Sequence, residues 1–111
     1  MPKTVSEKNL TITELRDILE RQEAQRELST LENVTLDYAR KLDKIGDPEK
    51  AREIVEKLME KHGLPEEYAV QLANILPSVP GEVRMILSPL NRIFSDEELQ
   101  DILNLLASIL G

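Results

Sequence analysis

Three times in this chain a hydroxyl residue stands three places before a glutamate at the head of an apolar run: Thr11 with Glu14, Ser29 with Glu32, and Ser95 with Glu98. That spacing is a capping box. The hydroxyl accepts from the third backbone N–H of a helix, and the carboxylate reaches back to the N–H of the cap. Leu10 with Leu15, and Phe94 with Leu99, occupy the staple positions that fix how the chain enters two of these helices. A fourth start is written Asp47-Pro48-Glu49, with Asp47 as cap and Pro48 at the first helical position, where its missing N–H costs nothing. A chain punctuated this way folds into short helices.

The apolar spacing between these signals agrees. Helix one, from about Ile12 to Gln25, carries Ile12, Leu15, Ile18 and Leu19. Helix two places Leu31, Val34, Tyr38, Leu42 and Ile45 at steps of three and four, and Gly46 is the expected left-handed stop. Helix three holds Ala51, Ile54, Val55, Leu58 and Met59 and ends at His62-Gly63. Helix four opens at Leu64-Pro65-Glu66-Glu67, and Pro77 halts it after Leu76. Pro77, Pro80 and Pro89 bracket a short helix from roughly Gly81 to Leu87, and helix six, capped by Ser95, carries Leu99, Ile102, Leu103, Leu106, Ile109 and Leu110. Only the first ten residues, around Val5, admit an extended conformation. The fold class is all-α, with an N-terminal helical hairpin over residues 1–45 and a compact helical domain over 46–111.

Composition narrows the function. Acids outnumber bases by 21 to 14, leaving a net charge of −7, so binding of nucleic acid through an overall positive field is not expected. Phe94, Tyr38 and Tyr68 are the whole aromatic set, which leaves little on which to stack a base. With no cysteine there are no disulfides, thiolate metal sites or cysteine nucleophiles. No stretch approaches the roughly 20 apolar residues of a membrane span, and a cytoplasmic setting is the expectation.

Catalytic chemistry has few candidates. His62 is the only histidine, and Leu58 and Met59 stand four and three residues before it, so it has no local Glu-x-x-His pairing. Its place in the last turn of helix three suits the helix dipole. Glu49, Glu53, Glu56 and Glu60 line helix three, but Lys50, Arg52, Lys57 and Lys61 interleave with them as on a solvated face. The four glycines form no phosphate-cradling loop. Neither a catalytic residue, a metal nor a cofactor is expected. The apolar stripes of helices one and two are wider than a two-helix hairpin can cover, so they need the remaining helices or another chain.

The run Glu66-Glu67-Tyr68-Ala69-Val70-Gln71-Leu72-Ala73-Asn74-Ile75-Leu76-Pro77, then Pro80-Gly81-Glu82-Val83-Arg84-Met85-Ile86-Leu87, then Ser95 to Leu103, resembles the family of F-type subunits of archaeal DNA-directed RNA polymerase, the counterpart of eukaryotic polymerase subunit four. Thr11 to Leu19 and Glu27 to Glu32 resemble that family's opening helix and its turn into the second. The resemblance implies an HRDC-like C-terminal domain and a heterodimer with the polymerase's E-type subunit, which carries the main RNA-binding surface. The pair forms a non-catalytic stalk that supports initiation, elongation and transcript handling. The resemblance also implies that the N-terminal helices supply the partner contact, which here falls on Ile12, Leu15, Leu19, Leu31, Val34 and Tyr38. Beyond His62 the only bases are Arg84 and Arg92, against seven acids, so these two are the candidate RNA contacts. A stand-alone HRDC-like domain that binds nucleic acid is the alternative.

Overall fold

The computed structural model describes residues 9–109, and the expectations for Val5 and Leu110 lie outside that range. Among the described residues there are six α-helices and no strand. They are α1 (Ile12–Glu23), α2 (Thr30–Leu42), α3 (Pro48–His62), α4 (Glu66–Ile75), α5 (Pro80–Leu87) and α6 (Asp96–Ala107), with a 3₁₀ turn at Ser88–Leu90 after α5. The all-α expectation holds. Among the described residues no helix is long and apolar enough to cross a membrane.

The helix starts fall where the capping residues place them. Thr11 accepts from Glu14 N while Glu14 reaches back to Thr11 N, and Ser29 and Glu32 repeat the exchange. Asp47 caps α3 through Glu49 N, with Pro48 just inside. Ser95 caps α6 through Glu98 N, but the reciprocal half of this third box is missing. The Glu98 carboxylate is turned instead toward His62 Nδ1, at 3.1 Å, and Arg92, at 3.3 Å.

Helix one stops at Glu23, two residues before the expected Gln25, and helix six at Ala107, and two further helix ends depart from expectation for a local reason. Helix two stops at Leu42, four residues before Gly46, because Asp43 Oδ1 accepts from both Ile45 N and Gly46 N and folds the chain into a turn at once. Gly46, at φ +84°, serves that turn rather than the helix. Helix four ends at Ile75, with Leu76 in the left-handed region at φ +50°. The residue before a proline is pushed out of the helical region, and Pro77 follows.

Two separate cores result. The larger, enclosed by α3, α4, α5 and α6, holds Ile54, Leu58, Leu72, Leu87, Leu99 and Ile102 among its fully buried members, and Phe94 is buried with them. The smaller lies inside the α1–α2 hairpin and consists of Leu19, Leu28 and Leu36, with Leu15 against it. The molecule is correspondingly stretched. Its radius of gyration is 15.2 Å and its extents are 48 × 36 × 20 Å, where a compact chain of this length has a radius near ~13 Å.

Candidate partner-binding surface

Helix α2 has two apolar faces, and the fold decides between them. Leu36 and Ala39 turn inward onto α1, where Leu28, from the turn before α2, joins them. Leu31, Val34, Tyr38 and Leu42 turn outward, with Leu31 75% and Tyr38 65% exposed. The stripe whose spacing marks this helix in the sequence is therefore its solvent side. The burial value of such side chains, about 1.5–3 kcal/mol each, is left unrealised in the free chain.

The six nominated partner-binding residues thus separate by helix. Leu31, Val34 and Tyr38 share the outer face of α2. On α1, Leu19 is buried in the hairpin core, and Ile12 and Leu15 are half-buried. The structure does not bring all six onto one surface. Leu19 supports α2 from behind.

A polar seam fixes this hairpin to the larger core. Arg52, on α3, donates from Nη2 to Glu14 at 2.6 Å and to the backbone oxygen of Asn9 at 2.7 Å, and from Nη1 to Glu66 at 2.9 Å. Burial pushes the Glu14 carboxyl up, but the bonds from Arg52 and from Thr11 outweigh it and hold the group below its ordinary value. A second bolt joins the two ends of the hairpin. Arg16 donates to Asp43 at 2.7 Å and to the Gly46 carbonyl, also at 2.7 Å, and the Thr13 hydroxyl donates to the same carboxylate. Burial pushes Asp43 up as well, and the bonds from Thr13, the Gly46 and Ile45 N–H groups and Arg16 bring it below its ordinary value. Asn74, at the far side, accepts from Ile12 N at 2.9 Å. Sequence reading missed this seam. Arg52 looks like one more charge on a solvated face until tertiary packing puts Glu14 beside it.

The two candidate RNA contacts have unlike surroundings. Arg84 is exposed, and among the described residues it reaches only Asp96, at 3.3 Å, itself fully solvated. Arg92 Nη2 donates to the His62 carbonyl at 2.7 Å, and its guanidinium lies 4.5 Å from the centre of the Phe94 ring. It closes the C-terminal end of α3. His62 sits in the last turn of α3 as the sequence suggests, against Glu98. Among the described residues no three His, Asp or Glu side chains converge as a metal site would require.

Known proteins share this arrangement of residues along the chain. The profile of the RNA polymerase Rpb4 family matches residues 3–110. Over 84 residues the chain is 34% identical to DNA-directed RNA polymerase subunit Rpo4 of Methanocaldococcus jannaschii, a span that covers 76% of this chain and 71% of that protein. Covered nearly end to end by the family profile, and sharing a third of its residues with a polymerase subunit over most of both lengths, this all-helical chain belongs to the RNA polymerase Rpb4 family.

Proposed function

We propose that the chain is a non-catalytic stalk subunit of an archaeal DNA-directed RNA polymerase. It forms a heterodimer with the polymerase's E-type subunit and acts through that partner, and through it the polymerase core, on initiation, elongation and transcript handling. One observation carries this reading: Leu31, Val34 and Tyr38 stand outward together on α2, although Leu19, Leu28 and Leu36 already fill the hairpin interior. Large apolar groups gathered on one exposed face mark a protein–protein contact. Leu15 and Leu19 contribute by holding α2 in place, Ile12 is the sixth residue of the proposed contact, and any direct RNA contact of this chain falls to Arg84 and Arg92.

The test is co-purification with the E-type subunit. Exchanging Val34 and Tyr38 for Asp leaves the free chain helical, since both side chains are in solvent, and should abolish co-elution by removing the apolar centre of the contact. The same exchange at Leu15 and Leu19 is a poorer probe, because a buried carboxylate at Leu19 opens the hairpin itself. Undiminished pairing of the Val34/Tyr38 variant with the E-type subunit would overturn the assignment of this face.

A further inference from the structure

Interface size points beyond α2. A stable protein–protein interface takes about 800 Å² and roughly 20–30 residues from each side. The outer face of a helix of 13 residues, with four large apolar side chains, is a fraction of that. The rest of the footprint must come from surface nearby.

Three further exposed apolar residues belong to one corner of the larger core, where α4 passes into α5. Ile75 ends α4, Val79 precedes α5, and Met85 stands on α5 and is 77% exposed. Ile75 and Met85 line a shallow hollow together with Glu82 and Ile86. The corner lies at the end of α2. Lys44, two residues past Leu42, donates from Nζ to the Ile75 carbonyl at 2.9 Å.

Val79 carries a second sign. It occupies the N-cap of α5, where Asp, Asn, Ser or Thr would satisfy a free N–H, and α5 has no side-chain cap bond. Helices α1, α2, α3 and α6 all have one, and α4, which opens at Pro65, has none either. Val79 is also 49% exposed, so it serves neither the cap nor the core. Met85 adds an adaptable apolar side chain of the kind that binding surfaces use.

We infer that the partner proposed for the outer face of α2 also covers Ile75, Val79 and Met85, so that one partner grips both halves of the molecule across the Asp43–Asp47 connection. This inference rests on the reading of α2 as the partner face. It gives the surface at the α4–α5 corner an occupant, and it makes the angle between hairpin and larger core a determinant of affinity.

Calorimetric titration of the full chain with the E-type subunit, using Val79→Asp, Met85→Asp and the double variant, tests it. Val79→Asp supplies the missing cap, so the free variant should melt a few degrees (~2–5 °C) higher than wild type. It should nonetheless bind the partner about tenfold more weakly, with the double variant down about a hundredfold. Hydrogen exchange should show the amides from Ile75 to Met85 slowed in the complex. Unchanged affinity and unchanged exchange at this corner, with binding still abolished by Asp at Val34 and Tyr38, would overturn the extended footprint and leave the proposed function standing. If the Val34/Tyr38 variant also binds normally, the reading of α2 fails, and this inference falls with it.

Discussion

The C-terminal half of the molecule buries fifteen residues in one continuous core, whereas the N-terminal hairpin buries three leucines in its own, and four large apolar side chains of α2 face outward. At about 1.5–3 kcal/mol per buried large side chain, the first set stabilises its half several times more than the second stabilises the hairpin. The hairpin is held instead by guanidinium groups at its base and, on our reading, by the partner on its outer face. On that reading the larger core is mainly the platform, and the hairpin carries most of the contact.

The strongest way to break this comparison is to cut the halves apart. Residues 46–111 retain all fifteen buried core residues and the helix starts at Asp47, Pro65 and Ser95. The fragment should unfold cooperatively by circular dichroism, at lower temperature than the full chain because Arg52 loses Glu14, and its affinity for the E-type subunit should disappear. A non-cooperative melt would show that the hairpin is part of the larger domain's stability. Full partner affinity in the fragment would show that the division of labour is wrong.

How far these differences could be read from sequence depends on the range of the interaction concerned. The capping residues Thr11, Ser29, Asp47 and Ser95 act within four residues, and all four caps form as the spacing predicts. The choice of buried face on α2 is different. Leu31, Val34 and Tyr38 match helical periodicity better than Leu36 and Ala39 do, yet periodicity cannot tell a face bound for the core from one bound for a partner. Leu28, which settles the matter, lies outside the helix. Glu98 shows the same limit at a cap: its backbone N–H obeys the local pattern, and its carboxylate answers to His62 and Arg92 from elsewhere in the fold. Arg52 and Glu14, 38 residues apart, leave no local trace of their pairing.

A milder perturbation sharpens the comparison without cutting the chain. Glu14 and Asp43 have lowered pKa values, so the stability they contribute is fully present above the ordinary carboxylate range, about pH 4, and is lost as pH falls through their lowered values. Both groups anchor the hairpin, and neither lies in the larger core. Lowering the pH from about 5 toward about 2 should therefore speed amide exchange in α1 and α2 before α3 and α6. Arg26 and the Ser29 N–H hold Glu32, in the α2 cap, down to about 2. Arg52→Met should release the hairpin at higher pH than wild type. Simultaneous loss of protection in all helices on acidification would show that hairpin and core are one cooperative unit.

The smallest effects concern the two arginines beyond α3, which the sequence offers as equivalents and the structure separates. Arg84 pairs only with the fully solvated Asp96, so Arg84→Ala should change the stability of the free chain by less than about 0.5 kcal/mol. Arg92→Ala removes the donor to the His62 carbonyl and the cation over Phe94, and should lower the melting temperature by a measurable amount. The difference matters for RNA. With a net charge of −7 and three aromatic residues, the free chain should hold single-stranded RNA weakly even at low salt. Whatever it holds depends on local cations with few other duties, and Arg84 is freer than Arg92. Filter binding at low salt should show retention reduced in Arg84→Ala while its melting curve stays that of wild type, a loss that cannot be charged to unfolding. Retention unchanged in Arg84→Ala would remove this residue from the RNA surface. The proposed partner would then be left to meet the transcript.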